Sequence, residues 1–211
     1  MKITKIGHCC LLIEEKGLRI LTDPGAWSEA QNELKNIQLI LITHEHQDHF
    51  YLDSLKQVLK NNPEAKIITN LSVNKLLLAE NIQSEILGSD KITNFQGLNL
   101  KALGKEHAEI YNDFGRVENT GFLLGEKFFY PGDSFTLPEV PIEVLALPVC
   151  GPWLTIKQSI NFALAVKPKM AFPVHDGMLK IFGPFYAVPQ KLLKEQAVEF
   201  IPLLSNENLT V

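Results

Sequence analysis

The sequence predicts an α/β protein built as a four-layer αββα sandwich, two mixed sheets face to face with helices outside. Three observations predict it. Apolar runs of strand length come first as a meander and then alternate with stretches of helical spacing. The same progression occurs in both halves of the chain. Residues of metal-ligand type stand directly behind several of the runs, and strand ends are where open α/β sheets keep their sites.

Residues 2–6, 9–14 and 18–22 read as three short strands, the last two joined by a tight turn at Lys16 and Gly17. Asp23, Pro24 and Gly25 end the third, because proline forbids simple continuation. Residues 39–43 are all apolar or β-branched, the profile of a strand buried on both faces. A helix is expected over 52–60 from the spacing of Leu52, Leu55, Val58 and Leu59, stopping before Pro63. Residues 65–69 form a further strand and 72–79 a helix with Ser72 as its N-cap. From about 85 to 106 the chain is short extended pieces broken by Gly88, Gly97 and Gly104. Residues 121–124 and 127–130 make a hairpin turning at Gly125 and Glu126, followed by Pro131, Gly132 and Asp133. Beyond it come a buried strand at 144–147, a helix at 156–166 and a strand at 170–174 that ends in His175. A helix at 188–196 and a strand at 199–203 close the chain.

At 211 residues the chain suits one domain spanning 1–211. Hydrophobic residues make up 45%, and a mean hydropathy of +0.03 is ordinary for a water-exposed globular surface. A net charge of −4 without a basic run argues against nucleic acid as a partner. No apolar run approaches a membrane span, and the N-terminus meets Glu14 and Glu15 too soon for a signal peptide. Three cysteines, Cys9, Cys10 and Cys150, do not make a disulfide framework, so a reducing cytoplasm is expected. The expected partner is a small-molecule substrate, and a homo-oligomer is left open.

Chemistry concentrates in the stretch QLILITHEHQDHF at 38–50. His44, His46, Asp48 and His49 fall within six positions at the mouth of an apolar strand, which outweighs the reading of a merely polar loop. His44 and His46, two apart, face one side of an extended segment, while Asp48 and His49 can turn toward a second point. Dense imidazole and carboxylate favour a divalent ion, zinc first, with manganese or iron as alternatives. Of the other histidines, His107 and His175 each end an extended piece, and Asp133 ends another.

In this order the residues resemble a known family. His44-Glu45-His46-Gln47-Asp48-His49 is similar to the H-x-H-x-D-H signature of the metallo-β-lactamase fold superfamily, and His107, Gly132-Asp133 and His175 match its remaining ligands in sequence. Gly7-His8, Asp23-Pro24 and the compact length resemble the small branch that holds the ascorbate-6-phosphate lactonase and related metal-dependent hydrolases. The resemblance covers essentially the whole chain. It implies that His44, His46 and His107 hold one metal, that Asp48, His49 and His175 hold a second, and that Asp133 bridges them. It further implies a bridging hydroxide, whose pKa falls toward ~7 on coordination, with Asp48 steering it as the catalytic carboxylate. Asp133 stands where one group of true β-lactamases carries cysteine, and His46 where the oxygen-reducing di-iron branch carries a carboxylate. Both point to hydrolysis, and two divalent ions against the carboxylates Asp48 and Asp133 leave a positive site, which suits an ester-type bond in an anionic small molecule such as a sugar-phosphate lactone.

The alternatives are a phosphodiesterase or nuclease on the same fold, and a non-hydrolytic redox or metal-sensing protein. A short acidic chain leaves no room for RNA-clamping domains. Around Asp133 and His175 stand further candidates. Asp23 can accept a hydrogen bond from a ligand histidine or simply serve the turn before Pro24. His8 either lies near the metals and donates to substrate or is a structural residue between two strands. Arg116 could meet an anionic substrate or stay solvated, as could Lys105 and Lys157. Trp153 could line a pocket or anchor its Pro/Gly loop.

Overall fold

A computed structural model describes all of residues 1–211. The first sheet opens with strands Lys2–Gly7 (β1), Cys10–Glu15 (β2) and Leu18–Thr22 (β3), paired antiparallel in a meander. Leu39–Leu41 (β4), Lys66–Thr69 (β5) and Glu85–Ile86 (β6) then add in parallel beside β3. Their crossovers carry helices Leu52–Asn61 (α1) and Leu71–Ala79 (α2). The second half repeats the plan. Ile92–Phe95 (β7), Leu98–Leu103 (β8), Gly121–Leu124 (β9) and Phe128–Tyr130 (β10) form an antiparallel meander. Val144–Pro148 (β11), Met170–Val174 (β12) and Glu199–Phe200 (β13) follow in parallel, with helices Ile156–Val166 (α3) and Gly183–Lys194 (α4) between them. Asn208–Thr210 (β14) returns to pair antiparallel with β1.

The buried side chains fall into three layers, which is what makes this the expected sandwich of two mixed sheets. Between the sheets, Leu11, Ile13, Ile20, Leu39 and Leu41 meet Leu100, Phe122, Phe128 and Phe172. Outside the first sheet, Ile40, Ile42 and Ile67 pack on Leu55, Val58, Val73 and Leu77 of α1 and α2. Outside the second, Leu145 and Leu147 pack on Phe162 and Ala163 of α3 and Leu193 of α4. In β4 the alternation is complete, since Leu39 and Leu41 face the inter-sheet core while Ile40 faces the helices. No helix is long and apolar enough to cross a membrane.

Several elements depart from the sequence expectation for local reasons. β4 stops at Leu41 because Thr43 spends its N–H on Asp23 Oδ1 and its carbonyl on the Thr120 N–H and the Asn70 amide. Helix α2 is capped by Asn70, whose side chain accepts from the Val73 N–H at 3.0 Å; Ser72 lies inside the first turn and gives its N–H to Glu118. Helix α4 begins at Gly183, five residues before the expected start, with Pro184 in the first turn and Pro189 carried in its interior. Pro189 sits on the buried face with Tyr186 and Leu193. The last expected strand ends at Phe200, and β14 is too short to show a pattern. Because Asn70 serves both the cap and the Thr43 carbonyl, Asn70→Ala should cost about 1–2 kcal/mol in urea unfolding.

Candidate metal centre

The meander in each sheet sets strand direction so that β1, β3 and β4 run one way in the first sheet, and β8, β10 and β12 run one way in the second. Their C-terminal ends meet at a common edge. The β1 end supplies His8, β3 supplies Asp23, and the turn after β4 supplies His44, His46, Asp48 and His49. His107 follows β8, Asp133 follows β10, and His175 follows β12. Each position is fixed by a rigid sheet, while the loops that carry the side chains are free of the ladder.

The geometry is convergent. Asp133 lies at the centre: His49 Nε2 is 3.1 Å from Oδ1, and His107, His175 and His44 Nε2 are 3.2, 3.0 and 3.9 Å from Oδ2. His44, His46 and His107 bring ligand atoms within 4.8 Å of one another, and so do His44, His49 and Asp133. Asp48 Oδ2 stands 3.3 Å from His175 Nε2 and 3.9 Å from His49 Nε2. The seven expected ligand residues are thus brought to one place.

Around them three of the Nδ1 atoms are engaged. His49 Nδ1 donates to Asp23 Oδ2 at 2.7 Å, and His107 Nδ1 donates to the Ala108 carbonyl. The Thr43 hydroxyl gives its proton to Asp23 at 2.7 Å, so its oxygen accepts from His44 Nδ1 at 3.0 Å. Tyr130 OH also donates to Asp23, at 2.6 Å. With Nδ1 protonated and held, a neutral ring at His44, His49 or His107 would direct its Nε2 lone pair toward the centre, the usual outer-sphere device of metal sites. Asp23 therefore does more than terminate a turn.

The charge states divide the histidines. Burial is the main influence on His44 and holds its pKa well below the usual histidine range; burial lowers His46 as well. Burial opposes ionisation of Asp133, but the charges of His175 and His49 outweigh it and hold the carboxyl well below its usual range. Burial opposes charge on His49 and His175, but the Asp133 carboxylate outweighs it and holds both well above the usual histidine range, so each would give up a proton on binding a divalent ion. The test of fit lies in the orphaned atoms. His44 Nε2, His49 Nε2 and Asp133 Oδ1 are buried at the centre without a hydrogen-bond partner, a state that costs free energy unless another group satisfies them. Ligation by a cation would satisfy all three at once.

A cleft of about 190 Å³ opens over the centre, lined by His46, Asp48, His107, Asp133 and His175 and walled by Trp27, Ile110, Pro152, Trp153 and Met178. Trp153 is buried in that wall, edge-on to His107 and His175 at 5.7 Å, so it both lines the pocket and anchors its loop. Arg116 is not brought to the cleft; it is exposed and paired with Asp113 at 3.5 Å, because its loop turns outward. Lys105 and Lys157 do not line the cleft either. His8 reaches Asp48 with Nε2 at 3.1 Å. Cys9 is buried with its ligand atom within 4.8 Å of those of His8, His49 and His175.

Sequence reasoning missed Thr43, Tyr130, Asn119, Lys5 and Trp27. Asn119 grips the Asp133 turn, accepting from the Asp133 N–H at 3.0 Å and donating to the Pro131 carbonyl at 3.0 Å. Buried Lys5 bonds Asp176, which also receives the Tyr186 hydroxyl, and this ties down the residue after His175. Only Thr43 and Trp27 carried a signal, standing directly beside the motifs at His44 and Asp23-Pro24.

A four-layer αββα sandwich with a histidine and aspartate cluster at one sheet edge defines a class of metal-binding proteins. Within it the chain belongs to the β-lactamase superfamily: the family model described as the Beta-lactamase superfamily domain matches residues 2–175. It is 31% identical over 184 residues to Protein Rv0786c of Mycobacterium tuberculosis, covering 85% of each chain. It is 28% identical over 194 residues to a UPF0173 metal-dependent hydrolase of Carboxydothermus hydrogenoformans, covering 83% of this chain and 84% of the relative. Among solved structures it is similar to Igni18, a metallo hydrolase of the archaeon Ignicoccus hospitalis. That match has a TM-score of 0.79 at 20% identity and covers 100% of this chain and 97% of the other, which bears on the fold.

Proposed function

We propose that this chain is a metal-dependent hydrolase that cleaves an ester-type bond at a dinuclear centre. His44, His46 and His107 would hold one divalent ion, Asp48, His49 and His175 the second, and Asp133 would contact both. The observation that carries the reading is the convergence of four Nε2 atoms on the two oxygens of Asp133, at 3.0–3.9 Å, beside buried donor atoms that have no partner. Divalent ions so held supply Lewis acidity toward a carbonyl oxygen and bring the pKa of water toward ~7. The protein's own part is positional. Asp48 lines the cleft and can orient a water by accepting its proton in a hydrogen bond, while Trp27, Trp153 and Met178 wall the space for the reacting group.

The cleft also bears on the substrate. Its small volume suits a small molecule. The phosphate of a sugar-phosphate lactone would leave the metals to meet Trp27, Ile110 or Met178, with no lysine or arginine in the wall. A lactone or ester without a phosphate is the better match to those apolar side chains.

Two measurements test the reading. Elemental analysis of metal-replete protein should find two divalent ions per chain; a trace only would overturn the site. A hydrolysis screen of zinc- and manganese-loaded protein should turn over uncharged lactones or esters faster than their phosphorylated counterparts. Turnover confined to phosphodiesters would overturn the substrate class, and oxygen consumption by iron-loaded protein would favour redox chemistry instead.

A further inference from the structure

We propose that His8 is a positioning residue: it holds the Asp48 carboxylate through a hydrogen bond from Nε2 and is not itself a metal ligand. The inference rests on the dinuclear reading, in which Asp48 serves the second ion. It begins at the other ring nitrogen. His8 Nδ1 lies 2.9 Å from the Gly177 N–H, and a backbone amide can only donate. Nδ1 is therefore the acceptor, its lone pair is spent, and the ring proton belongs to Nε2. That nitrogen lies 3.1 Å from Asp48 Oδ2, so the bond between them runs from His8 to Asp48. Both nitrogens are then occupied, and neither offers a lone pair to a cation.

The fold goes to some length to hold the ring there. His8 and Cys9 form the turn between β1 and β2, where Gly7 pairs with Cys10. His8 sits at φ 45°, in the left-handed region that a non-glycine side chain seldom adopts. Its ring is buried between Trp27, at 4.5 Å, and His175, at 4.4 Å. Gly177 makes the approach possible, because a Cβ there would lie 3.0 Å from His8 Nδ1 and 3.0 Å from its Cβ. The His8 carbonyl accepts from the His175 N–H at 3.2 Å, so the same turn also fixes the backbone of a second expected ligand. The Asp48 side chain is partly open to the cleft, and its other close neighbours, His175 and His49, are the proposed ligands of the same ion. A single donor on Oδ2 sets its rotation and leaves Oδ1 unconstrained by His8.

Two substitutions separate positioning from packing. In His8→Asn the side-chain carbonyl can still accept from Gly177 and asparagine tolerates the left-handed turn, but it is too short to reach Asp48. In His8→Phe the ring stays between Trp27 and His175 with neither hydrogen bond. Zinc is titrated into the metal-free parent and both variants in competition with a chromophoric chelator, and the metal-free proteins are melted alongside. Both variants should bind the second zinc about 10–100-fold more weakly, with the first unchanged, and should lose kcat more than KM. A parent with two zincs and variants that match both its affinities overturns the inference alone. A melting temperature that falls while second-site affinity holds overturns it too, leaving His8 a packing residue. A parent that takes up one zinc overturns the dinuclear reading and this inference with it.

Discussion

Asp133→Asn should reduce turnover by about 10²–10³-fold while leaving the fold in place. The side chain is buried at the meeting point of His44, His49, His107 and His175, and it is the one group whose two oxygens face ring nitrogens from both sheets. Ionised, it offsets the repulsion between two cations held close together. Asparagine keeps the shape and removes the charge. Its amide N–H groups would also donate to imidazole lone pairs, at His107 or His175, that the wild-type side chain leaves for a metal. The backbone of the turn should survive, since Asn119 binds the Asp133 N–H and Gly132 takes the left-handed φ of 61°. Core contacts in the preceding strand come from Phe128, Phe129 and Tyr130. Metal content, circular dichroism and rate on a substrate of the parent together decide it. Near-parental turnover with two ions bound would show Asp133 to be a loop residue.

Why this centre could be read from the chain, and its support could not, is a matter of chemical scarcity. Histidine is rare, and three of the six cluster at 44–49, so their order with His107, Asp133 and His175 is visible without a structure. The sheets were equally legible, because runs such as those at 39–43 and 144–147 are apolar on both faces. Thr43, Tyr130 and Asn119 were not, because hydroxyls and amides occur everywhere and only distant partners give them a task. Thr43 meets Asp23 across 20 residues and Tyr130 meets it across 107. The same long-range pull shortens β4, an effect no local window contains. Arg116 failed in the opposite sense: charge type suggested a role, and the outward turn of its loop removed it. Helix α4 starts five residues before its expected position, at Gly183, and carries Pro189 in its interior.

The second large effect is expected at a residue with no side chain. In Gly25→Ala the new Cβ would lie 1.8 Å from the Asp48 carbonyl oxygen, 2.2 Å from its carbon and 2.7 Å from the His49 nitrogen. All three are backbone atoms, so no side-chain rotation relieves the clash. The two loops that must part are tied together elsewhere, by the Ala26 N–H on the Gln47 carbonyl at 2.9 Å and by Asp23 on His49 at 2.7 Å. Separation would break one or both ties and carry Asp48 and His49 away from His175. Stability should fall by about 3 kcal/mol, the upper end of ordinary overpacking. The second ion should be lost, and a displacement of the order of 1 Å at the reacting geometry should lower turnover about 10²-fold. Gly88→Ala is the control, since nothing lies within 4 Å of a Cβ there, and it should match the parent in every measurement. Unfolding of the metal-free proteins separates the steric cost from the metal's contribution, and metal analysis reports the site. If Gly25→Ala melts with the parent and retains two ions, the close approach of the Asp23 and Asp48 loops does not hold in solution, and the case for Asp48 as a fixed ligand weakens with it.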